Sequence, residues 1–370
     1  MAKVITTCTR CVMDDAVDQT ITFDNEGVCS YCTKAIKRME TTYYPGKAGD
    51  AQLKEFLNIL KSKGKGKPYD CMMGISGGLD SSYLAYKAAV EWGLRIFAVH
   101  IDDGFDTVIA KQNIDKLCQA TGIQLKVVAP DAEQFYDLTR AFIRAQVPNI
   151  AMPQDNVLFA CLHEEAKCHD VKSFLSGGNF ALECILEQGN THDVYDMINM
   201  RDIHGRFGTI PMDKLPMMSL FQKGFTEKYF YGIKTYRPLN YIDYNRDRAI
   251  EELAHFCGFN YYGNKHLENT FTVFTQLYWF YNKYGVDKRK SHYSSMIVSG
   301  QMTRDEGLKK LKEPLYEEGS MQMIIDEVLE KLKIEREEFD KIMKAPSLQH
   351  TDYRTSLFGR MAALYFSTKR

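Results

Sequence analysis

The sequence predicts an α/β chain: a doubly wound parallel sheet, preceded by a small cysteine module and followed by a helical region. Three observations predict it. Between Tyr69 and Ser176 short apolar runs alternate with amphipathic stretches, the rhythm of strands joined by crossover helices. Four cysteines fall into two Cys-x₂-Cys pairs near the N-terminus. Beyond Arg246 the apolar spacing becomes helical. Expected units are 1–50, 51–240 and 241–370.

The cysteine module comes first. Cys8-Thr9-Arg10-Cys11 and Cys29-Ser30-Tyr31-Cys32 are separated by seventeen residues. Four thiolates at that spacing can take the corners of a tetrahedron, the geometry Zn²⁺ accepts. Thr20–Asp24 followed by Asn25-Glu26-Gly27 reads as a strand and turn, which makes a zinc ribbon. Four protein ligands leave no open position, so Cys8, Cys11, Cys29 and Cys32 predict a structural metal contributing on the order of 10 kcal/mol to folding. An iron–sulfur cluster or unligated thiols are the alternatives. The other six cysteines are scattered and read as small buried hydrophobes, with Cys161, His163, Cys168 and His169 as a lesser metal candidate. Ten cysteines without an apolar signal core at Met1-Ala2-Lys3-Val4 point to a reducing cytoplasm.

The Lys61–Lys67 run reads as a solvated linker. Tyr69–Ile75 is a buried strand, and Ser82–Trp92 carries apolar residues at helical spacing. Between them lies Ser76-Gly77-Gly78-Leu79-Asp80-Ser81-Ser82. A Gly-Gly turn opening a helix aims unpaired N–H groups and the positive end of the dipole at one place, which suits phosphate. Ser76, Ser81 and Ser82 add hydroxyl donors, while Gly77 and Gly78 allow close backbone approach. Asp80 would repel a phosphate unless a cation lies between, and Mg²⁺ bridging is the natural reading. The spacing is not that of a Walker A loop.

Leu94–Ile101 is the second strand, leading to Asp102-Asp103-Gly104. A helix over Asp106–Thr121, a strand at Gln124–Val128 and a helix capped by Asp131 follow. Asn156–His169 is helical and Lys172–Ser176 a short strand. Parallel sheets bind ligands at the carboxyl ends of their strands, so Ser76–Ser82, Asp102 and the loop Gly177-Gly178-Asn179 converge on one crevice. Glu183, just beyond, is a metal or substrate ligand. Tyr236–Ile242 is extended. Helices are expected over Arg246–Cys257, Thr270–Tyr284 and Arg304–Lys312, the last with a Thr303/Glu306 capping box. A charged helical hairpin covers Ser320–Lys344.

Forty-seven basic against 48 acidic residues argue against a chain that coats nucleic acid, and no apolar run is long enough for a membrane span. Two polar clusters stand out in the helical half. Lys265, His266 and Glu268 can clamp a phosphate or place a base. Arg289, His292 and Arg304 can hold the pyrophosphate arm of a nucleotide-linked substrate.

Ser-Gly-Gly-x-Asp-Ser resembles the signature of the PP-loop ATPases, which split ATP between the α and β phosphates. The whole chain resembles the N-acetyl sugar amidotransferase family of bacterial surface-polysaccharide, lipopolysaccharide and flagellin-sugar pathways. The likeness is carried by Cys8–Asp14, Val28–Cys32, Gly74–Ser82, Gly263–Glu268, Lys290–Ser294 and Gln301–Arg304. It implies conversion of an acetamido to an acetamidino group, with ATP, Mg²⁺ and Zn²⁺ as cofactors. It also implies an N-acetylated sugar as substrate. Ammonia would come from a partner glutaminase similar to that of histidine biosynthesis, since no glutaminase Cys–His pair is evident. The rival classes are a PP-loop tRNA sulfurtransferase with Cys184 as sulfur carrier, and a non-catalytic zinc-ribbon adaptor.

Overall fold

The computed structural model describes residues 4–224, 231–263 and 267–356. Five strands form one parallel sheet: β1 (Cys71–Gly74), β2 (Ile96–Ile101), β3 (Gln124–Val128), β4 (Ser173–Leu175) and β5 (Lys234–Tyr236). Their order is β3-β2-β1-β4-β5. The central strand β1 pairs Met72 with both Phe97 and Phe174. Helices cover both faces, so β1 is apolar throughout, whereas the edge strand β3 leaves Val127 56% exposed.

The helices, in chain order, are α1 (Ser30–Thr42), α2 (Asp50–Lys63), α3 (Leu79–Tyr86), α4 (Val108–Thr121), α5 (Ala132–Arg144), α6 (Met152–Cys168), α7 (Phe180–Glu183) and α8 (Met197–Phe207). Then come α9 (Arg246–Cys257), α10 (Thr270–Val273), α11 (Phe280–Tyr284), α12 (Arg289–Val298), α13 (Arg304–Lys310), α14 (Glu318–Leu332) and α15 (Arg336–Lys344). Local chemistry sets many of the ends. Thr107, Asp131 and Asn245 cap α4, α5 and α9 through their side chains, and Gly122 and Gly258 close α4 and α9 in the left-handed conformation. The Thr303/Glu306 capping box is present.

Two expectations are corrected. Lys61 and Lys63 belong to the last turn of α2 rather than to a linker, because Phe56 and Leu60 form a buried stripe and the lysines face the negative end of the dipole. Thr20–Asp24 is not a full strand; a single antiparallel bridge, Phe23 to Cys29, stands in its place.

One sheet face packs Met73, Ile75 and Leu84 against Leu117 and Leu253. The other packs Met72, Phe97 and Val99 against Leu162 and Ala166 of α6. The largest core joins α5, α6 and α8 to the C-terminal helices around Trp279. The Trp279 indole N–H donates to the Val147 carbonyl at 3.0 Å. No helix among the described residues is long and apolar enough to cross a membrane.

Candidate functional site

The sheet order reverses between β1 and β4, so the loops leaving these strands diverge and open a crevice at the switch point. The backbones on its two sides nearly touch. A Cβ on Gly177 would lie 3.0 Å from the Asp80 carbonyl carbon and the Ser81 nitrogen. Gly77 has φ +75°, and a Cβ there would come within 2.4 Å of the Ala110 carbonyl oxygen. Gly77 requires glycine on both counts, and at Gly177 a side chain would force the two backbones apart by a few tenths of an ångström.

The crevice has a volume of about 320 Å³. Ser76, Gly78, Asp80 and Ser81 line it from the first loop and Gly177 and Gly178 from the second. Arg246, Tyr262, Glu268 and His292 close it from the C-terminal half. A second cavity of about 260 Å³ shares Ser76, Gly177 and Glu268 and runs along the ends of β1 and β2. The Gly78 N–H donates to Ser76 Oγ at 3.2 Å, and the Leu79 N–H to the Tyr262 hydroxyl at 3.1 Å. Both N–H groups lie at the start of α3 on the crevice wall, each already paired with a hydroxyl that an incoming anion would replace as acceptor.

Three carboxylates face this cradle. The Tyr244 hydroxyl donates to Asp80 Oδ1. Glu183 Oε2 accepts from the Asn179 N–H at 3.3 Å. Glu268 Oε1 accepts from Ser76 Oγ at 3.3 Å, while its Oε2 is buried with no hydrogen-bond partner among the described residues. The backbone fixes Glu268 in place: its carbonyl accepts from the Thr107 N–H at 3.0 Å, and Thr270 N–H donates to the Phe105 carbonyl at 2.7 Å. Burial, and then the Glu268 charge, push the Tyr262 hydroxyl well above its ordinary range. Burial, with Asp80 beside it, does the same to Tyr244. Both phenols stay protonated.

His100 ties the strand ends together, with Nδ1 2.8 Å from the Ile75 carbonyl and Nε2 2.8 Å from Asp106 Oδ2. Two acceptors require two N–H groups, hence the imidazolium. Burial is the largest influence and opposes that charge, but the Asp106 hydrogen bond and charge, the Ile75 carbonyl and the Asp102 charge together exceed it and raise the pKa.

Among the predicted residues, Ser76, Gly78, Asp80, Ser81, Gly177, Glu183, Glu268 and His292 meet at this crevice. Gly77 supplies its turn. Others fall elsewhere. Ser82 is fully buried and its hydroxyl finds no partner among the described residues. Asp102 turns back to the Gly104 N–H and Lys111. Asn179 caps α7 through the Leu182 N–H at 2.9 Å. Arg289 forks onto Asp287 and reaches the Glu313 carbonyl at 2.9 Å. Arg304 donates to the Cys8 and Cys11 carbonyls at 3.0–3.2 Å. Each of the two arginines is held by local acceptors, which is why neither stands over the crevice. Lys265 and His266 lie outside the described residues. Cys184, the sulfur carrier of the rival reading, is buried and does not line the crevice; burial pushes its thiol up to about 11. Tyr244 and Arg246 were not singled out in the sequence. Tyr244 reaches Asp80 across 164 residues, a distance no local pattern signals.

The four cysteines are fully buried, and their sulfurs lie within 4.8 Å of one another. Backbone N–H groups of Cys11, Cys29 and Cys32 point at the sulfurs at 3.2–3.4 Å. Hydrogen bonding to Cys11 pulls the Cys8 and Cys29 thiols down and pushes Cys32 up, and bonding to Cys29 pushes Cys11 up. Four thiolates this close need a cation, and the donor set fits a tetrahedral metal. Among the described residues no other His, Cys, Asp or Glu group has such geometry.

Sheet, switch-point crevice and sulfur tetrad define a doubly wound α/β protein with a glycine-rich loop at its switch point and a separate four-cysteine module whose geometry suits a metal. Residues 268–365 match the family described as "LPS biosynthesis protein WbpG-like, C-terminal domain", in keeping with the surface-polysaccharide resemblance read from the sequence. That match opens at Glu268, on the crevice. No curated protein matches the chain. Among solved structures, an NH3-dependent NAD synthetase from Campylobacter jejuni is 16% identical, with a TM-score of 0.28 over 36% of this chain. The chain spans 58% of that synthetase. An NMN synthetase from Francisella tularensis is 12% identical, with a TM-score of 0.36 over 78% of this chain and 97% of its own. The U34-tRNA thiolase NcsA from Methanococcus maripaludis, solved with a [4Fe-4S] cluster, is 16% identical, with a TM-score of 0.37 over 90% and 89%.

Proposed function

We propose that the chain is an ATP-dependent, AMP-forming amidotransferase that converts the acetamido group of an N-acetylated sugar into an acetamidino group. The observation that carries this reading is the meeting of the Gly78–Leu79 donors with Asp80, Glu183 and Glu268, where the WbpG-like segment begins. An amide is a poor electrophile with a poor leaving group. Attack of its oxygen on the α-phosphorus breaks the bond to the β-phosphate and releases pyrophosphate. Ammonia then adds to the activated carbon, a proton is lost, and AMP departs with the former amide oxygen.

The first loop binds the departing phosphates through backbone N–H groups and the Ser76 and Ser81 hydroxyls. The cavity along β1 and β2 takes the nucleoside. Most of the rate enhancement is positioning and charge stabilisation. Asp80, Glu183 and the orphaned Glu268 oxygen line the crevice without gathering into a metal cage, so a Mg²⁺ arriving with the nucleotide would be held by one or two of them together with phosphate oxygens and would neutralise phosphate charge there. The sulfur tetrad fits Zn²⁺ in a structural role. The proton shed by ammonia has its sequence-predicted acceptors in His266 and Glu268. Ammonia itself is supplied by a partner glutaminase.

The test is incubation with ATP, Mg²⁺, ammonium and a panel of N-acetylated sugars. Sugar-dependent AMP release, with a product in which NH replaces O, is expected. AMP release indifferent to every sugar would overturn the assignment.

A further inference from the structure

A third cavity, of about 250 Å³, adjoins the crevice and shares Leu182, Glu183 and His292 with it. Its walls come from α7, the segment after it and the start of α12, and they are largely apolar: Ile185, Leu277, Tyr293 and Leu315. The polar groups include a buried pair. Glu187 is 5% exposed; its Oε1 accepts from Asn190 Nδ2 at 3.0 Å, and its Oε2 is buried with no hydrogen-bond partner among the described residues. Lys288 Nζ stops 3.8 Å from that oxygen.

This gap is informative. At 3.8 Å the pair is too far apart for a direct hydrogen bond, and a buried ion pair is costly while a lone pair stays unsatisfied. A group that donates to the carboxylate and accepts from the ammonium satisfies both, and a hydroxyl does so. Burial pushes Glu187 up and Lys288 down, as expected for charges that lack a full set of partners. Among the described residues the cations at this end are engaged: Lys288 offsets Glu187, and Arg289 is forked onto Asp287, while Glu183 adds a carboxylate to the lining, a balance that does not favour a phosphate here.

We propose that this cavity is the sugar subsite of the enzyme. It takes the neutral, hydroxylated ring of the N-acetylated substrate, with Glu187 and Lys288 sharing a ring hydroxyl. The C–H faces lie against Tyr293 and Leu277, and the acetamido arm passes Glu183 and His292 to reach the nucleotide crevice. The volume suits a single ring. Any charged or nucleotide-linked portion of the substrate then lies outside this pocket. The assignment rests on the function proposed above.

The test uses the full chain and N-acetylglucosamine as binding probe, followed by saturation-transfer NMR, alongside calorimetric ATP binding. Leu277→Trp fills the cavity, Glu187→Gln keeps the Asn190 contact, and Glu187→Gln with Lys288→Met leaves no charge unpaired. All three are expected to weaken sugar binding about tenfold or more while ATP affinity stays within about twofold, as for loss of a charged hydrogen bond at one subsite. Unchanged sugar affinity in the three variants, with ATP binding intact, overturns the subsite and leaves the gap to a bridging water. If N-acetylated sugars neither bind nor react with the wild-type protein, the function falls, and the subsite with it. If they bind and react indifferently to these substitutions, only the subsite falls.

Discussion

Replacing Glu268 by Gln changes a charge and little shape, and the structure sets both sign and size of the effect. The carboxylate lies against the cradle: Oε1 is 3.3 Å from Ser76 Oγ, and a Cβ on Gly78 would approach it to 2.6 Å. A phosphate that takes over the Gly78 and Leu79 N–H groups from the Ser76 and Tyr262 hydroxyls would sit about 4 Å from this charge. Two unit charges at about 4 Å repel by about 4 kcal/mol at an effective dielectric of about 20. Solvent and salt in the crevice leave about 1–2 kcal/mol, or roughly five- to thirtyfold in Kd. With divalent cations chelated, Glu268→Gln should bind ATP more tightly by that factor. With Mg²⁺ present, the variant loses an oxygen ligand, and ATP should bind more weakly than to wild type. Calorimetric titration of ATP in both conditions reads the reversal. Tighter binding in both would mean that Glu268 repels phosphate without holding a cation. No change in either would place the bound phosphates away from Gly78 and refute the reasoning.

Tyr244→Phe removes the hydroxyl that donates to Asp80; the lost bond to a charged acceptor, about 1.5–3 kcal/mol, should lower kcat/KM by about ten- to a hundredfold, and an unchanged value would show that Asp80 needs no fixing. His350 is 3% exposed and burial holds its imidazole well below the usual value. The folded state therefore keeps it neutral while the unfolded chain takes up a proton below about pH 6.5, so stability present above that pH is lost as pH falls. His350→Gln should flatten the acid side of the melting profile by up to about 1.4 kcal/mol per pH unit, a difference that leaves the opposing His100 contribution in both proteins. Stripping the thiolate-bound metal should abolish sugar-dependent turnover at chelator levels that leave the ATP Kd within about threefold of wild type; parallel loss of both would mean that the metal module holds the whole fold.

The fold was legible where the signals are local. The bounds of β3 and α9 follow from alternation, an Asn cap and a terminal Gly, all within a few residues. The glycine-rich turn between β1 and α3 was legible for the same reason, since one loop builds it from its own backbone. The sulfur tetrad was legible because its ligand spacing is the geometry. Charge was the misleading signal. Arg304 reads as a phosphate clamp, yet its acceptors are two carbonyls nearly 300 residues earlier in the chain. Glu268 comes to rest on Ser76 across 192 residues, and only a backbone pairing of segments 105–107 and 268–270 puts it there. Periodicity carries no information about such pairings.

The place of α12 explains what a metal held by the four cysteines would do for this protein. Ser291, Ser295 and Ser299 recur every four residues and so share one helix face. Ser291 Oγ accepts from the Glu187 N–H at 3.2 Å, Ser295 Oγ from the Ile185 N–H at 2.9 Å, and Ser299 Oγ donates to the Ala181 carbonyl at 2.7 Å. These bonds lock α12 to α7 and the turn after it, the elements that bring His292 and Glu183 to the crevice. On its other side α12 meets the cysteine module: Ser294 Oγ accepts from the Val12 N–H at 3.3 Å, and Lys290 pairs with Asp14 at 2.5 Å. Phe180, Cys184 and Ile185 pack into the same core as the four cysteines. A segment of about 40 residues cannot build such a buttress from apolar burial alone, and a metal supplies the missing rigidity. The glycine-rich loop hangs on β1 and α3, whose core of Met73, Ile75 and Leu84 includes none of the four cysteines but does take in Ala181 and Leu182 of α7 and Met296 of α12. The first half of the crevice thus draws its stiffness from the sheet core, and the second from that core and the cysteine module together.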